Sequence, residues 1–259
     1  MRRLYPPSDS AQIDPSAVYA DLSFPPGQAG GPYVALNMVS TADGKTALGD
    51  SAAGIGSRTD ARLMRQIRAA ADAIIWGTGT LKADLVDPRV DVRRARERVG
   101  RGLSPQPLAV TVTGSLGLEP TNRFFVNGPS GTVLFTVRAA SPERRRALAP
   151  YAAVVVQDGE TVDLAAALRY LHDRFGVRRL LSEGGPNLNQ HLLDAGLIDE
   201  VFWTIAPKLA GGHGRGLLDG PEPATAIRAR MDLVSLFEHD GELYTRYRLA
   251  RGPDGGYLT

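Results

Sequence analysis

Apolar residues come in short runs separated by amphipathic stretches, and that spacing assigns element types. "YVALNM" (33–38), "DAIIWG" (72–77), "PLAVTV" (107–112), "TVLFTV" (132–137), "AAVVVQ" (152–157) and "RRLLSE" (178–183) are brief and mostly apolar, which predicts strands covered on both faces. "TDARLMRQIRAAA" (59–71), "SPERRRALAPY" (141–151) and "VDLAAALRYLHDRF" (162–175) read as helices, and another is expected from about 186 to 195. Short strands alternating with helices predict an α/β fold with a largely parallel sheet.

Beyond residue 199 the pattern changes. "DEVFWTIAP" (199–207), "MDLVSLFEHDG" (231–241) and "ELYTRYRLA" (242–250) are strand-like with no full helix between them, and "HDGE" signals a hairpin turn. The sheet is therefore expected to be mixed, with an antiparallel edge. Residues 1–31, rich in Pro, Gly and Ser, read as an irregular arm, 32–250 as one domain and 251–259 as a tail; no long linker divides them.

Composition narrows the chemistry. At 43% hydrophobic and 22% charged residues the chain is an ordinary globular sequence. The net charge of +2 comes largely from "RVDVRRARERVGRG" (89–102) and "PERRRAL" (142–148), which read as solvated faces. No aromatic-rich basic motif accompanies them, so nucleic acid is not an expected partner, while an anionic small substrate is compatible. The absence of cysteine excludes disulfides, thiolate nucleophiles and Cys-based zinc or iron–sulfur sites. No signal-peptide core or membrane-length apolar run of about 20 residues is present, so the expectation is a cytoplasmic protein.

Ligands of open α/β sheets collect at the carboxyl ends of the strands, which directs attention to four stretches. In "NMVSTADGKTALGD" (37–50) a strand runs into Ser40, Thr41, Asp43 and Lys45, or into an ordinary Asp-Gly turn. "IIWGTGTLKADLVDPR" (74–89) places Thr80 and Asp84 where a chain turning into a helix presents N–H groups to an anion, although it lacks the third glycine of a dinucleotide fingerprint. "SEGGPNL" (182–188) puts Pro186 at a first helical position, with Gly184 and Gly185 before it and Glu183 beside the positive helix end; the plain alternative makes Glu183 a partner for Lys or Arg. "IAPKLAGGHGRGLLDG" (205–220) carries Lys208, His213 and Arg215, or is a surface loop. The four histidines lack metal-ligand spacing, and neither a G-x-S-x-G element nor a P-loop occurs.

In this order the four stretches resemble the pyrimidine reductase family of riboflavin biosynthesis, over roughly residues 32–250. The resemblance rests on "STADGKTA" (40–47), "DAIIWGTGTLKADLVDP" (72–88) and "LLSEGGPNLNQHLLDAGLIDEVFWTIAPKLAGG" (180–212). It implies a dihydrofolate reductase-like three-layer αβα fold, NADPH as cofactor, no metal, a homodimer with 199–207 at its interface, and hydride transfer to C1 of a ribosylamino-pyrimidine 5′-phosphate. It also implies a nicotinamide site at Val39, Ser40, Thr80 and Asp84, and cofactor phosphate at Gly184, Gly185, Pro186, Asn187 and Leu188. Ser115 and Arg138 are placed for a 2′-phosphate. Substrate-side positions fall at Asn37, Ala53, Arg68, Val90, Arg93 and Glu183, and proton transfer makes Glu183, Lys45 and Asp84 the catalytic candidates.

Asn37 stands where many bifunctional bacterial enzymes carry lysine and where archaeal and fungal stand-alone reductases tend to carry asparagine. Ala53 and Ile55 replace a polar residue and a large aromatic of those bacterial enzymes. A dihydropterin or dihydrofolate-like substrate, or a non-catalytic NADPH-binding module, are the alternatives. The deaminase half of the bifunctional enzymes needs a P-C-x-x-C zinc site, which a cysteine-free chain cannot supply.

Overall fold

The structure is a computed structural model that describes residues 1–7, 12–25, 27, 30–49, 51–220 and 228–259. Its elements in chain order are β1 (Arg2–Tyr5), β2 (Tyr33–Thr41), α1 (Arg58–Ala70), β3 (Ala73–Gly77), α2 (Thr78–Ala83), α3 (Val92–Gly100), β4 (Leu108–Val112), β5 (Thr132–Val137), α4 (Pro142–Leu148), β6 (Ala153–Gln157), α5 (Leu164–Phe175), β7 (Arg179–Ser182), α6 (Pro186–Asp194), β8 (Glu200–Ala206), β9 (Met231–His239) and β10 (Glu242–Leu249). A 3-10 turn spans Arg123–Asn127. The fold is α/β, with a mixed, mostly parallel sheet.

The chain divides into two compact units. The first comprises Met1–Ser23, Val34–Ile67 and Pro186–Thr259, the second Phe24–Tyr33 and Arg68–Gly185. The domain expected over 32–250 includes parts of both units. Two of the changes of unit fall within α1 and at the start of α6, inside regular structure, so no Gly/Ser/Pro linker marks them.

In the second unit the strand order is β7-β3-β4-β5-β6, and every pair is parallel. All six positions of β5 are buried, as are four of the five in β3, which is why these segments read as continuous apolar runs. Fully burying each large apolar side chain among Ile74, Ile75, Leu134 and Phe135 contributes roughly 1.5–3 kcal/mol. α5 begins where the Asp163 side chain accepts from the Ala166 N–H and ends at Gly176, which has the left-handed φ of 67° of a helix C-cap.

In the first unit the order is β1-β9-β10-β8-β2, antiparallel except for the β8–β2 pair. Asp240 and Gly241, with φ of 51° and 80°, make the tight β9–β10 turn expected at "HDGE". β8 is paired on one edge with β10 and on the other with β2, and most of it is buried. Within 199–207, the segment expected to face a second copy, Asp199, Trp203 and Ile205 are half-buried, Pro207 is exposed and the rest is buried.

Both termini depart from expectation. Arg2–Tyr5 is a strand paired with β9, where an irregular arm is expected. Its four residues are exposed, so it carries no hydrophobic periodicity and depends on backbone pairing. Of the remaining arm, residues 8–11, 26, 28 and 29 lie outside the described residues, as does Asp50 of the first stretch. The expected tail is tied down, with Arg251 bridging to Tyr257 and the Tyr257 hydroxyl donating to Ile198 O at 2.8 Å. Among the described residues no helix is long and apolar enough to cross a membrane.

Candidate active site

In the second unit, β3 and β7 end side by side. The Glu183 N–H donates to Ile75 O at 3.1 Å and the Gly77 N–H to Gly184 O at 2.8 Å, which locks the two strand exits together. Glu183 is therefore carried to the end of a buried strand, beside Arg68 of α1 and Trp76 of β3. Arg68 donates from Nε to Glu183 Oε1 at 2.6 Å and from Nη2 to Oε2 at 2.5 Å. Trp76 Nε1 donates to the same Oε2 at 3.0 Å, and the Arg68 guanidinium lies 5.7 Å from the Trp76 ring centre. The ring is braced edge-on by Phe124.

The side chains of Arg68 and Glu183 are only 11% and 7% exposed, so this bidentate pair is desolvated and geometrically fixed. Burial alone would lower the pKa of Arg68, but the Glu183 carboxylate overrides it and the net direction is upward. Glu183 is thus an ion-pair partner, the plainer of its two readings, and it is held in place rather than free to swing. Arg68 Nη1 also donates to Asp87 O at 3.0 Å. The Asp87 carboxylate binds Arg89 and Arg123 and is held well below the usual carboxylate range, chiefly by the hydrogen bond from Arg89.

Gly184 and Gly185 adopt φ of 86° and 62°, a left-handed pair that side chains rarely tolerate. A Cβ on Gly185 would lie 3.4 Å from Thr80 Oγ1 and 3.5 Å from Gly77 Cα, so this turn packs against the β3–α2 connection. The first N–H groups of α2, at Thr78, Gly79 and Thr80, have no intrahelical acceptor, and open space faces Gly79. Donors without an intrahelical acceptor, around bare backbone, fit the phosphates of a dinucleotide. Asp84 closes α2 by donating its N–H to Thr80 O.

A Cβ built on Gly117 would meet Lys82 Nζ at 3.1 Å and Ser115 Oγ at 3.2 Å, which brings a cation and the predicted Ser115 hydroxyl to one bare patch of backbone. Arg138 is not gathered there. It is exposed and paired with Asp158.

In the first unit, the stretches after β2 and β8 are laced together. Thr41 Oγ1 donates to Asp43 at 2.7 Å, and Asp43 accepts from the N–H groups of Ala210 and Gly211 at 3.0 and 2.8 Å. These bonds, that from Thr41 foremost, hold the Asp43 carboxyl well below its usual range. Lys208 Nζ donates to Gly54 O and Ile55 O, and Thr46 Oγ1 to Arg215 O and Gly216 O. Half-buried Lys45 makes one long contact, 3.5 Å to Gly214 O. Asn37 and Val39 are half-buried on β2, while Ser40 is buried and accepts from Trp203 Nε1 at 2.9 Å. Pro186 opens α6 as expected, Asn187 is exposed and Leu188 buried.

The other expected substrate positions differ in burial and bonding. Val90 is 5% exposed and both its backbone groups bond to Gln106, so it belongs to the core. Arg93 is exposed on α3 and pairs with Glu97. Ala53 is exposed with its N–H on Ser51 Oγ, and Ile55 is fully buried. Trp76, Asp87 and Lys82 are the contributors that sequence reading missed. Lys82 alone had a local signal, four residues beyond Thr78 at the helix that follows β3.

Fold and site define a dihydrofolate reductase-like α/β domain. The RibD C-terminal domain family matches residues 32–244. The chain is 38% identical over 204 residues to the 2,5-diamino-6-ribosylamino-4(3H)-pyrimidinone 5′-phosphate reductase of Methanothermobacter thermautotrophicus, an alignment covering 77% of this chain and 91% of that protein. It is 37% identical over 188 residues to the protein of the same name in Archaeoglobus fulgidus, covering 70% and 83%. In fold it matches a pyrimidine reductase-like protein of Corynebacterium diphtheriae with a TM-score of 0.79 at 22% identity, over 93% of this chain and all of that one. The chain belongs to the pyrimidine reductase family of riboflavin biosynthesis, a family of oxidoreductases.

Proposed function

We propose that this protein reduces a ribosylamino-pyrimidine 5′-phosphate to its ribitylamino form, with NADPH as the hydride source. The observation that carries the reading is the buried Arg68–Glu183–Trp76 group at the exit of β7, set beside a left-handed glycine turn. Bound there, NADPH would supply one hydride to C1 of the ribose. The ring C1–O bond opens, and the released ring oxygen takes one proton from solvent by way of the protein.

The chain's residues divide this work. Two bonds from Arg68 and one from Trp76 fix the Glu183 side chain, and Oε1, which receives only the Arg68 Nε bond, keeps an acceptor site for a sugar hydroxyl. Glu183 is therefore a binding and orienting group. Thr80, Gly184 and Gly185 receive the cofactor diphosphate, and Lys82 with Ser115 receives its 2′-phosphate. Asp84 acts by fixing the end of α2 on which Lys82 lies.

Asn37 and the names of the two archaeal relatives support the diamino pyrimidinone ahead of its deaminated counterpart. The test follows NADPH absorbance with the diamino compound, the deaminated compound and dihydrofolate offered separately. Turnover is expected with the ribosylamino-pyrimidines, fastest with the diamino form, and none with dihydrofolate. Oxidation with dihydrofolate alone would overturn the assignment.

A further inference from the structure

Arg68 and Trp76, which hold Glu183, are both reached from one short turn of the second unit, the 3-10 turn Arg123–Asn127. Asn122 anchors it: its side chain accepts from the Phe124 N–H at 2.9 Å and donates to Leu81 O of α2 at 2.8 Å. Two neighbouring side chains then serve different partners. Phe124, fully buried, meets the Trp76 ring edge-on with ring centres 6.1 Å apart. Arg123 Nη2 donates to Asp87 Oδ2 at 2.7 Å.

Asp87 carries the second contact inward. Its Oδ1 accepts the Arg89 N–H at 3.0 Å, an Asx-turn across Pro88 that ties the side chain to the backbone of its own loop. Pro88 also disfavours helical backbone at the residue before it, so the Asp87 carbonyl and carboxylate are oriented together. That carbonyl accepts from Arg68 Nη1 at 3.0 Å, while Arg68 Nε and Nη2 hold the two oxygens of Glu183. The Arg123 side chain is 55% exposed, and an exposed ion pair contributes little to stability. Arg89 already balances the Asp87 charge with bonds from Nε and Nη2. What a second guanidinium adds is direction, a pull on Oδ2 from the turn that also carries Phe124.

We propose that Arg123 is a positioning residue for the reduction: its bond to Asp87 sets the Arg68 guanidinium, and through it Glu183, while Phe124 sets Trp76 from the same turn. The inference deepens the reading of Glu183 as the group that orients the substrate, and rests on it. A turn that reaches both donors keeps them in register, so that Oε2 receives Arg68 and Trp76 together and Oε1 keeps its open acceptor site.

The experiment measures steady-state NADPH oxidation with the diamino ribosylamino-pyrimidinone phosphate for the full chain, Arg123→Ala, Arg123→Lys, Glu183→Gln and Arg123→Ala combined with Glu183→Gln, with a thermal melt of each. Arg123→Ala should melt within about 4 °C of the unaltered protein, because only an exposed pair is lost. It should lose about tenfold in kcat, inside the roughly hundredfold that a misplacement of about 1 Å can cost, with KM for NADPH and for the pyrimidine within about twofold. Arg123→Lys should recover most of that loss, since an ammonium can make the single bond to Oδ2. Added to Glu183→Gln, Arg123→Ala should cost less than about twofold more, because its route ends at that side chain. A raised KM for the pyrimidine with kcat unchanged would make Arg123 a direct substrate contact and overturn the proposal, as would equal losses from Arg123→Ala with and without Glu183. Full turnover in Glu183→Gln would overturn the reading of the site as well, whereas a loss in Glu183→Gln with none in Arg123→Ala would overturn the role of Arg123 alone.

Discussion

Glu183 and Arg68 are buried together, so the worth of each depends on the other. Removing one charge of such a pair strands its partner, at a cost of about 3–5 kcal/mol, whereas replacing both by apolar groups of similar size often costs far less. Glu183→Gln should therefore lower the urea-unfolding free energy by about that amount, while Glu183→Leu combined with Arg68→Met should be less destabilised than the single change. A double variant as unstable as the sum of its singles would show that the pair is not coupled. Glu183→Gln should also lose more than tenfold in turnover with NADPH affinity retained, because the glycine turn does not depend on the carboxylate. Asp43 gives a pH-dependent counterpart. Its folded pKa is depressed below the ordinary 3.8, so its stabilisation of the 208–212 loop is full above that value and lost as the pH falls further below it. Amide exchange at Ala210 and Gly211 should be slow at pH 6 and fast in strong acid, and Asp43→Ala should make it fast at both; slow exchange in that variant would remove the carboxylate from the anchoring role.

At the scale of elements, the Gly184–Gly185 turn is where backbone conformation fixes sequence. A left-handed φ costs a non-glycine residue about 1–3 kcal/mol. Gly185→Ala also adds a methyl group against Thr80, so it should lower stability by about that amount and weaken NADPH binding more than substrate binding, as inhibition by NADP⁺ would report. An unchanged affinity would show that the turn does not touch the cofactor. This turn, with Glu183 and the central strands, was legible in the sequence because each is written in contiguous residues: glycines before a helix-opening proline, or runs buried on both faces. β1 was not legible, since four exposed residues carry no pattern and only their pairing with β9 makes them a strand. α3 reads as a solvated charge run, yet Arg94 and Arg98 are buried, Arg98 at 1% exposure, because backbone carbonyls distant in sequence receive its guanidinium. Trp76 and Asp87 were missed for a related reason. Trp76 reaches Glu183 across 107 positions of sequence, and Asp87 serves the site through its backbone carbonyl. Val90 and Arg93 are expected at the substrate from their position in the family pattern alone, and folding sends one to the core and the other to the surface.

Taken as a whole, the chain closes the first unit with residues that the sequence presents as a loose tail. Arg251 donates to Gly196 O, Ile198 O and Asp199 Oδ1 at 3.0, 2.9 and 3.0 Å, and its guanidinium lies 4.7 Å from the Tyr257 ring centre. The Tyr257 hydroxyl takes up both backbone groups of Ile198, and burial pushes its pKa up to about 12. Asp199 in turn accepts the Val34 N–H at 2.8 Å, so the last nine residues support the start of β2 and β8 through one carboxylate whose own pKa burial raises. Ending the chain at Ala250 removes the cation beside Asp199 and leaves the Ile198 N–H and C=O without their phenol. A few kcal/mol are at stake, on the order of 2–5 from an unpaired buried charge and unsatisfied backbone groups. For a chain of this size each kcal/mol moves the melting temperature by roughly 2–4 °C, so calorimetry should show a drop of about 5–15 °C. Turnover per folded molecule at 20 °C should stay near that of the full chain, because nothing in 251–259 belongs to the candidate site. A truncated protein that melts with the full-length one would show that Arg251 and Tyr257 rest on a unit already stable without them.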